Sequence, residues 1–292
     1  MSAITTAGFR AGNATVGESV DGSATVTLVV NDGPEFTAAS LSSLAPAALG
    51  KIPWRPAPLY AGPLRAVVLD PASGTRDLRD THIVAAHAAR ALRGVGVIGL
   101  HFDASQVAVC RTGRVAGDLS TDTLVAAVDA AKAALPPVGA VHADDADPPC
   151  DDGLRATHVT TGAWSVTGWG HIFAAPTHPG VGMLSILTTD AVAGIRTLAS
   201  AVAAGTTAVH GSPGLHHDPN GDTVLLLASG ASGVAVADAA LAEAVAAVYA
   251  DLDRQRSLIA DHHRLRPVTC TDLPSIAVNA GPASCQNSTR RR

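Results

Sequence analysis

Lysine is nearly missing from this 292-residue chain: it occurs only at Lys51 and Lys132, and 20 Lys and Arg against 25 Asp and Glu leave a formal net charge of -5. A protein that tracks a phosphate backbone needs a basic stripe, so nucleic acid is not an expected partner. Aromatic residues make up 3% of the chain, which leaves Ala, Val, Leu and Ile to build the core. Cysteine stands at Cys110, Cys150, Cys270 and Cys285 and never as CxxC. That spacing supports neither a zinc site nor a disulfide framework, and buried or incidental thiols are expected instead. No run of about 18 strongly apolar residues is present, and the opening MSAITTAGFRAG lacks the basic-then-apolar order of a signal peptide. The expectation is a soluble cytoplasmic protein without membrane partner, cofactor or metal.

What is present is globular: 47% of residues are hydrophobic, enough for a sizeable core. Thr25 to Val30 reads as a strand, closed by the turn signal Asn31-Asp32-Gly33-Pro34. Residues 37–63 are rich in Ala, Ser and Pro and read as a surface connector. Arg65 to Asp70 reads as a buried strand, Thr81 to Leu92 as a helix capped by Thr81, and His87 on it as a packed or edge histidine. A Gly-rich strand over Gly94 to Leu100 and a second from Gln106 to Cys110 follow. Thr121 and Asp122 read as the cap of a helix to Leu135. The carboxylates between His142 and Asp152 could attract a divalent cation, but Pro148-Pro149 interrupts them and a solvated loop is the plainer reading.

The segment Ala163 to Asp190, AWSVTGWGHIFAAPTHPGVGMLSILTTD, passes through a turn-rich middle into an apolar strand, Met183 to Leu187. Thr189-Asp190 then reads as the cap of a helix reaching Gly205. In the loop His210 to Asp222, Asp218, Asn220 and Asp222 mimic the first calcium ligands. Thr223 stands where glycine is required and Ser229 where a bidentate glutamate is required, so the loop reads as solvated. Asp222-Thr223-Val224 to Gly233 reads as a buried strand with a Gly-rich exit, and Leu241, Val245, Val248 and Leu252 form the core-facing stripe of a last helix.

Several of these stretches together resemble the ornithine acetyltransferases, the bifunctional glutamate N-acetyltransferases of arginine biosynthesis. The resemblance rests on Gly8-Phe9-Arg10, Val30 to Pro34, Thr112-Gly113, Trp164-Ser165-Val166, Pro179-Gly180, Met183-Leu184, Leu187 to Asp190 and Asp222 to Gly233. It implies an α/β fold of sheets packed together and covered by helices, and acetyl transfer from N-acetylornithine to glutamate. Members of the family cut themselves before a threonine, whose new amine then serves as base to its own hydroxyl. A Thr-Gly pair forms the oxyanion hole, where each fixed donor is worth roughly 3 to 4 kcal/mol.

On the positions of this chain the resemblance implies an oxyanion hole at Thr112 and Gly113, a nucleophile position at Gly182, and substrate-contacting positions at His171 and His263. Four departures stand out. Gly182 replaces the threonine, His171 replaces a lysine, His263 lies where a Glu-Gly-Ala-Thr-Lys turn is usual, and only Pro71 to Gly74 stand where a long Asn- and Gly-rich loop is usual. The family chain also continues well beyond the resemblance here. The implied organisation is an α-chain-like region over 1–181, a β-chain-like region over 182–271 and an irregular tail over 272–292. The expected function is that of a diverged, catalytically impaired relative, with a noncatalytic partner subunit or a decaying gene product as alternatives. Expected partners are an amino acid or acetylated amino acid, a second copy of the chain, or an intact homologue.

Overall fold

The computed structural model describes residues 6–19, 22–42, 59–72, 77–96, 102–115, 119–138, 154–160, 162–174, 181–211 and 222–265. Among the described residues, ten strands and four α-helices follow one another: β1 (Phe9–Ser19), β2 (Gly22–Asn31), β3 (Thr37–Ser42), β4 (Leu59–Pro63), β5 (Ala66–Ala72), α1 (Leu78–Leu92), β6 (Val107–Val115), α2 (Thr121–Ala133), β7 (Leu154–Thr160), β8 (Ser165–Ala174), β9 (Val181–Thr189), α3 (Ile195–His210), β10 (Thr223–Ala228) and α4 (Asp238–Leu265). The strands form two sheets. Sheet A has the order β1-β2-β5-β6 and sheet B the order β4-β3-β10-β9-β8-β7. Two pairs are parallel, β5 with β6 and β9 with β10, and α1 and α3 make the crossovers that parallel pairing demands.

Strand alternation sorts the side chains into three cores. Val26, Leu28 and Val30 of β2 and Val107 and Val109 of β6 point outward from sheet A onto α1 and α2, where Val84, Leu92, Leu124 and Val128 meet them. Met183 and Leu187 of β9 and Val224 and Leu226 of β10 point outward from sheet B onto Leu198 and Val202 of α3 and the α4 stripe. The intervening residues fill the layer between the sheets, among them Val29, Val67, Leu69, Cys110, Trp169, Leu184, Ile186 and Leu225. The result is four layers, helix-sheet-sheet-helix.

Several boundaries correct the sequence reading. The Gly-rich opening is strand β1, and residues 37–63 contribute β3 and β4 instead of a bare connector. Their Ala and Ser residues form strands because neighbours hold them: β3 lies between β10 and β4. Asp77, not Thr81, caps α1, and Ser120, not Thr121, caps α2. Asp190 is not a helix cap; its carboxylate accepts from the backbone N–H of Ser165 at 2.7 Å and from the Ser165 hydroxyl at 3.2 Å, tying β8 to the end of β9. The α3 helix starts instead after Gly194 and ends at Gly211, whose φ of 70° supplies the left-handed turn that glycine accepts without strain. Within the turn-rich middle of Ala163 to Asp190, β8 runs to Ala174, and 175–180 lie outside the described residues. Of the two acidic or His-rich loops, 142–152 lies outside the described residues, as do 212–221 and the tail beyond 265.

Candidate functional site

One end of the inter-sheet layer is pinned. Asn31 donates its side-chain N–H to the Ala228 carbonyl at 2.9 Å, Glu35 N–H donates to the Ser229 carbonyl at 2.9 Å, and the Thr188 hydroxyl donates to that of Thr6 at 2.9 Å. These contacts fasten the start of β1 and the end of β2 to the ends of β9 and β10. The opposite ends of both sheets therefore coincide as well, and they carry the positions singled out by sequence. On sheet A, Thr112 lies two residues beyond Cys110 on β6, on the same inter-sheet side. On sheet B, Gly182 pairs with Phe173 and Leu184 with His171, so Gly182 and His171 share the inter-sheet face with Leu184.

The structure thus gathers three of the five positions, Thr112, Gly182 and His171, at one end of one layer. Gly113 follows Thr112 in β6. His263 belongs to the last turn of α4, on the outer layer of sheet B. Thr112 is buried and its hydroxyl donates to the Asp70 carbonyl across a long 3.5 Å. His171 is buried at 4% exposure. Arg111, just before Thr112, points to the helical side with Val107 and Val109 and forms an ion pair with the buried Asp70 carboxylate at 3.5 Å. Asp70 also accepts from the Ala72 N–H at 3.0 Å, which closes the end of β5 close to where α1 begins.

Nucleophiles at this site are few. Gly182 offers no side-chain oxygen, and its peptide bond to Val181 lies inside β9, with Val181 paired to Ala174. Ser185 is fully buried and its hydroxyl has no acceptor among the described residues, but alternation turns it to the helical side with Met183 and Leu187. Thr177, the other nearby hydroxyl, lies outside the described residues. Cys110 does face the layer, and burial pushes its thiol up to about 12, so it is protonated and unreactive near neutral pH. Iodoacetamide at pH 8 is expected to spare Cys110 in the native chain and to label it after denaturation, read by peptide mass mapping. Because the folded thiol titrates above the unfolded one, its contribution to stability is intact below about pH 9 and is lost as pH rises from there towards 12.

Sequence reasoning missed the polar centre beside Met183. The Asp222 carboxylate is fully buried, which corrects the solvated-loop reading at that end of the loop. One oxygen accepts from the Met183 N–H at 2.9 Å; the other accepts from the Tyr249 hydroxyl at 3.2 Å and from Arg256, which also pairs with Asp253. Burial and the Asp222 charge push the Tyr249 hydroxyl strongly upward, so it stays a donor. That hydroxyl lies 3.0 Å from His210 Nε2, and since its own proton goes to Asp222 it accepts from the imidazole. Through this network α4 holds the start of β9, one residue from Gly182. His87, by contrast, is the half-buried edge histidine expected, bridging α1 to Asp129 of α2 at 2.8 Å.

Among the described residues no group of three or more His, Cys, Asp or Glu is arranged to hold a metal ion, and no helix is long and apolar enough to cross a membrane. No protein-family model matches the chain. Two solved structures are similar over most of their own length: a Burkholderia sp. beta-aminopeptidase (16% identity, 87% of this chain and 85% of that chain, TM-score 0.46) and the ornithine acetyltransferase of Mycobacterium tuberculosis complexed with ornithine (27%, 57% and 83%, TM-score 0.36). Sequence relatives are closer. The chain is 35% identical over 266 residues to the arginine biosynthesis bifunctional protein ArgJ of Streptomyces coelicolor, covering 87% of this chain and 66% of that protein. It is 33% identical over 266 residues to the Streptomyces avermitilis protein of the same name, again spanning 66% of its length. With ArgJ of Thermobifida fusca it shares 31% identity over 273 residues, 89% of this chain and 67% of that one. On this identity and coverage, the chain belongs to the ArgJ family of ornithine acetyltransferases.

Proposed function

We propose that this chain is a member of the family that neither cuts itself at the Val181–Gly182 bond nor turns over acetyl groups, and that keeps the inter-sheet layer as a binding site for a small amino-acid-like molecule. The observation that carries this reading is the bare backbone of Gly182 on the inter-sheet face, with Ser185 turned to the opposite side of the sheet. Without a side-chain oxygen there is no atom to start the acyl shift and none to carry the acetyl group. Deleting the nucleophile of a comparable acyl-transfer site costs on the order of a millionfold in turnover. The remaining parts then have a different use: Thr112 with Gly113 as hydrogen-bond donors and His171 as a polar contact to the bound molecule. His263, in the last turn of α4 on the outer layer, has no part in this reading. The region boundary at 182 keeps its meaning only as a mark of descent.

The test is the intact mass of the purified chain, followed by incubation with N-acetylornithine and glutamate. A single chain of full mass and no acetylglutamate is the expected result. Two fragments dividing at Gly182, or acetylglutamate formed above the uncatalysed rate, would overturn the reading.

A further inference from the structure

We draw no further inference here: the strongest candidate, the buried Arg10–Asp32 side-chain cluster beyond the end of α1, leaves Arg10 Nη2 and Asp32 Oδ1 without a hydrogen-bond partner among the described residues, but a Cβ at Gly96 would already stand 2.8 Å from that oxygen and 3.3 Å from that nitrogen, so nothing in the structure shows room there for a ligand.

Discussion

Asp222→Ala is expected to unfold the chain at a markedly lower temperature, with a loss of about 3–5 kcal/mol in denaturant titrations. The carboxylate it removes is the common acceptor of Met183 N–H, the Tyr249 hydroxyl and the Arg256 guanidinium, all in the core between sheet B and α4. Deleting it takes from Arg256 its fully buried counter-charge, leaving the pairing with the more exposed Asp253, and removes the acceptor of two buried donors at once. Asp222→Asn separates the parts of this effect. An asparagine oxygen still accepts from Met183, while the charge that balances Arg256 is gone, so a smaller but still large loss is expected. Wild-type stability in Asp222→Ala would mean that Arg256 finds another acceptor and that α4 is not held through this carboxylate.

Gly12→Val is expected to cost about 3 kcal/mol or more, at the upper end of overpacking substitutions. A Cβ at Gly12 would stand 2.0 Å from the Ala131 carbonyl oxygen of α2 and 3.1 Å from the Leu135 backbone N. Those are backbone atoms of α2 and of the turn just after it and cannot rotate aside, so α2 must lift off β1 as a body. The helix rests its buried face, Leu124, Val128 and Ala131, on sheet A, and lifting it opens the whole outer core on that side. A Gly12→Ala variant that retains the parent denaturation midpoint would show that α2 is free to ride over the strand, against the close approach described.

The physical reasons for what could be read from sequence are specific. The strand at Arg65 to Asp70 and the stripe Leu241, Val245, Val248 and Leu252 were legible because long apolar side chains repeat with periods of two and of three to four, and every member of that stripe is fully buried. The β1 strand was not, because its inward residues are small or polar: Gly12 makes room for a helix and Asn13 faces the layer between the sheets. The β3 and β4 strands escaped notice for a related reason, since Ala38, Ala39 and Ala61 have weak strand preference and are held by a partner remote in sequence. At the site, Gly182, Thr112 and His171 were located through resemblance, and the register of two sheets brings them to one end. The Asp222 network was illegible because its members are spread over Met183, His210, Asp222, Tyr249 and Arg256, and nothing local marks the aspartate as buried. Its neighbours Asn220 and Gly221 suggested the opposite.

The place of β3 in sheet B has a consequence for how the chain is made. Thr37 pairs with Ala228, so this strand leaves the ribosome roughly 190 residues ahead of its partner, about 10–40 s earlier at the usual 5–20 residues per second. During that interval sheet A can close, since β1, β2, β5 and β6 all precede residue 116, while β3 has only β4 beside it. Its open edge offers a ready partner to another nascent chain. Pro63 on β4 cannot donate to a further strand, so it blunts the far side of the hairpin. Protection of the near side falls to whatever meets the chain as it emerges, until β10 arrives to pair with it.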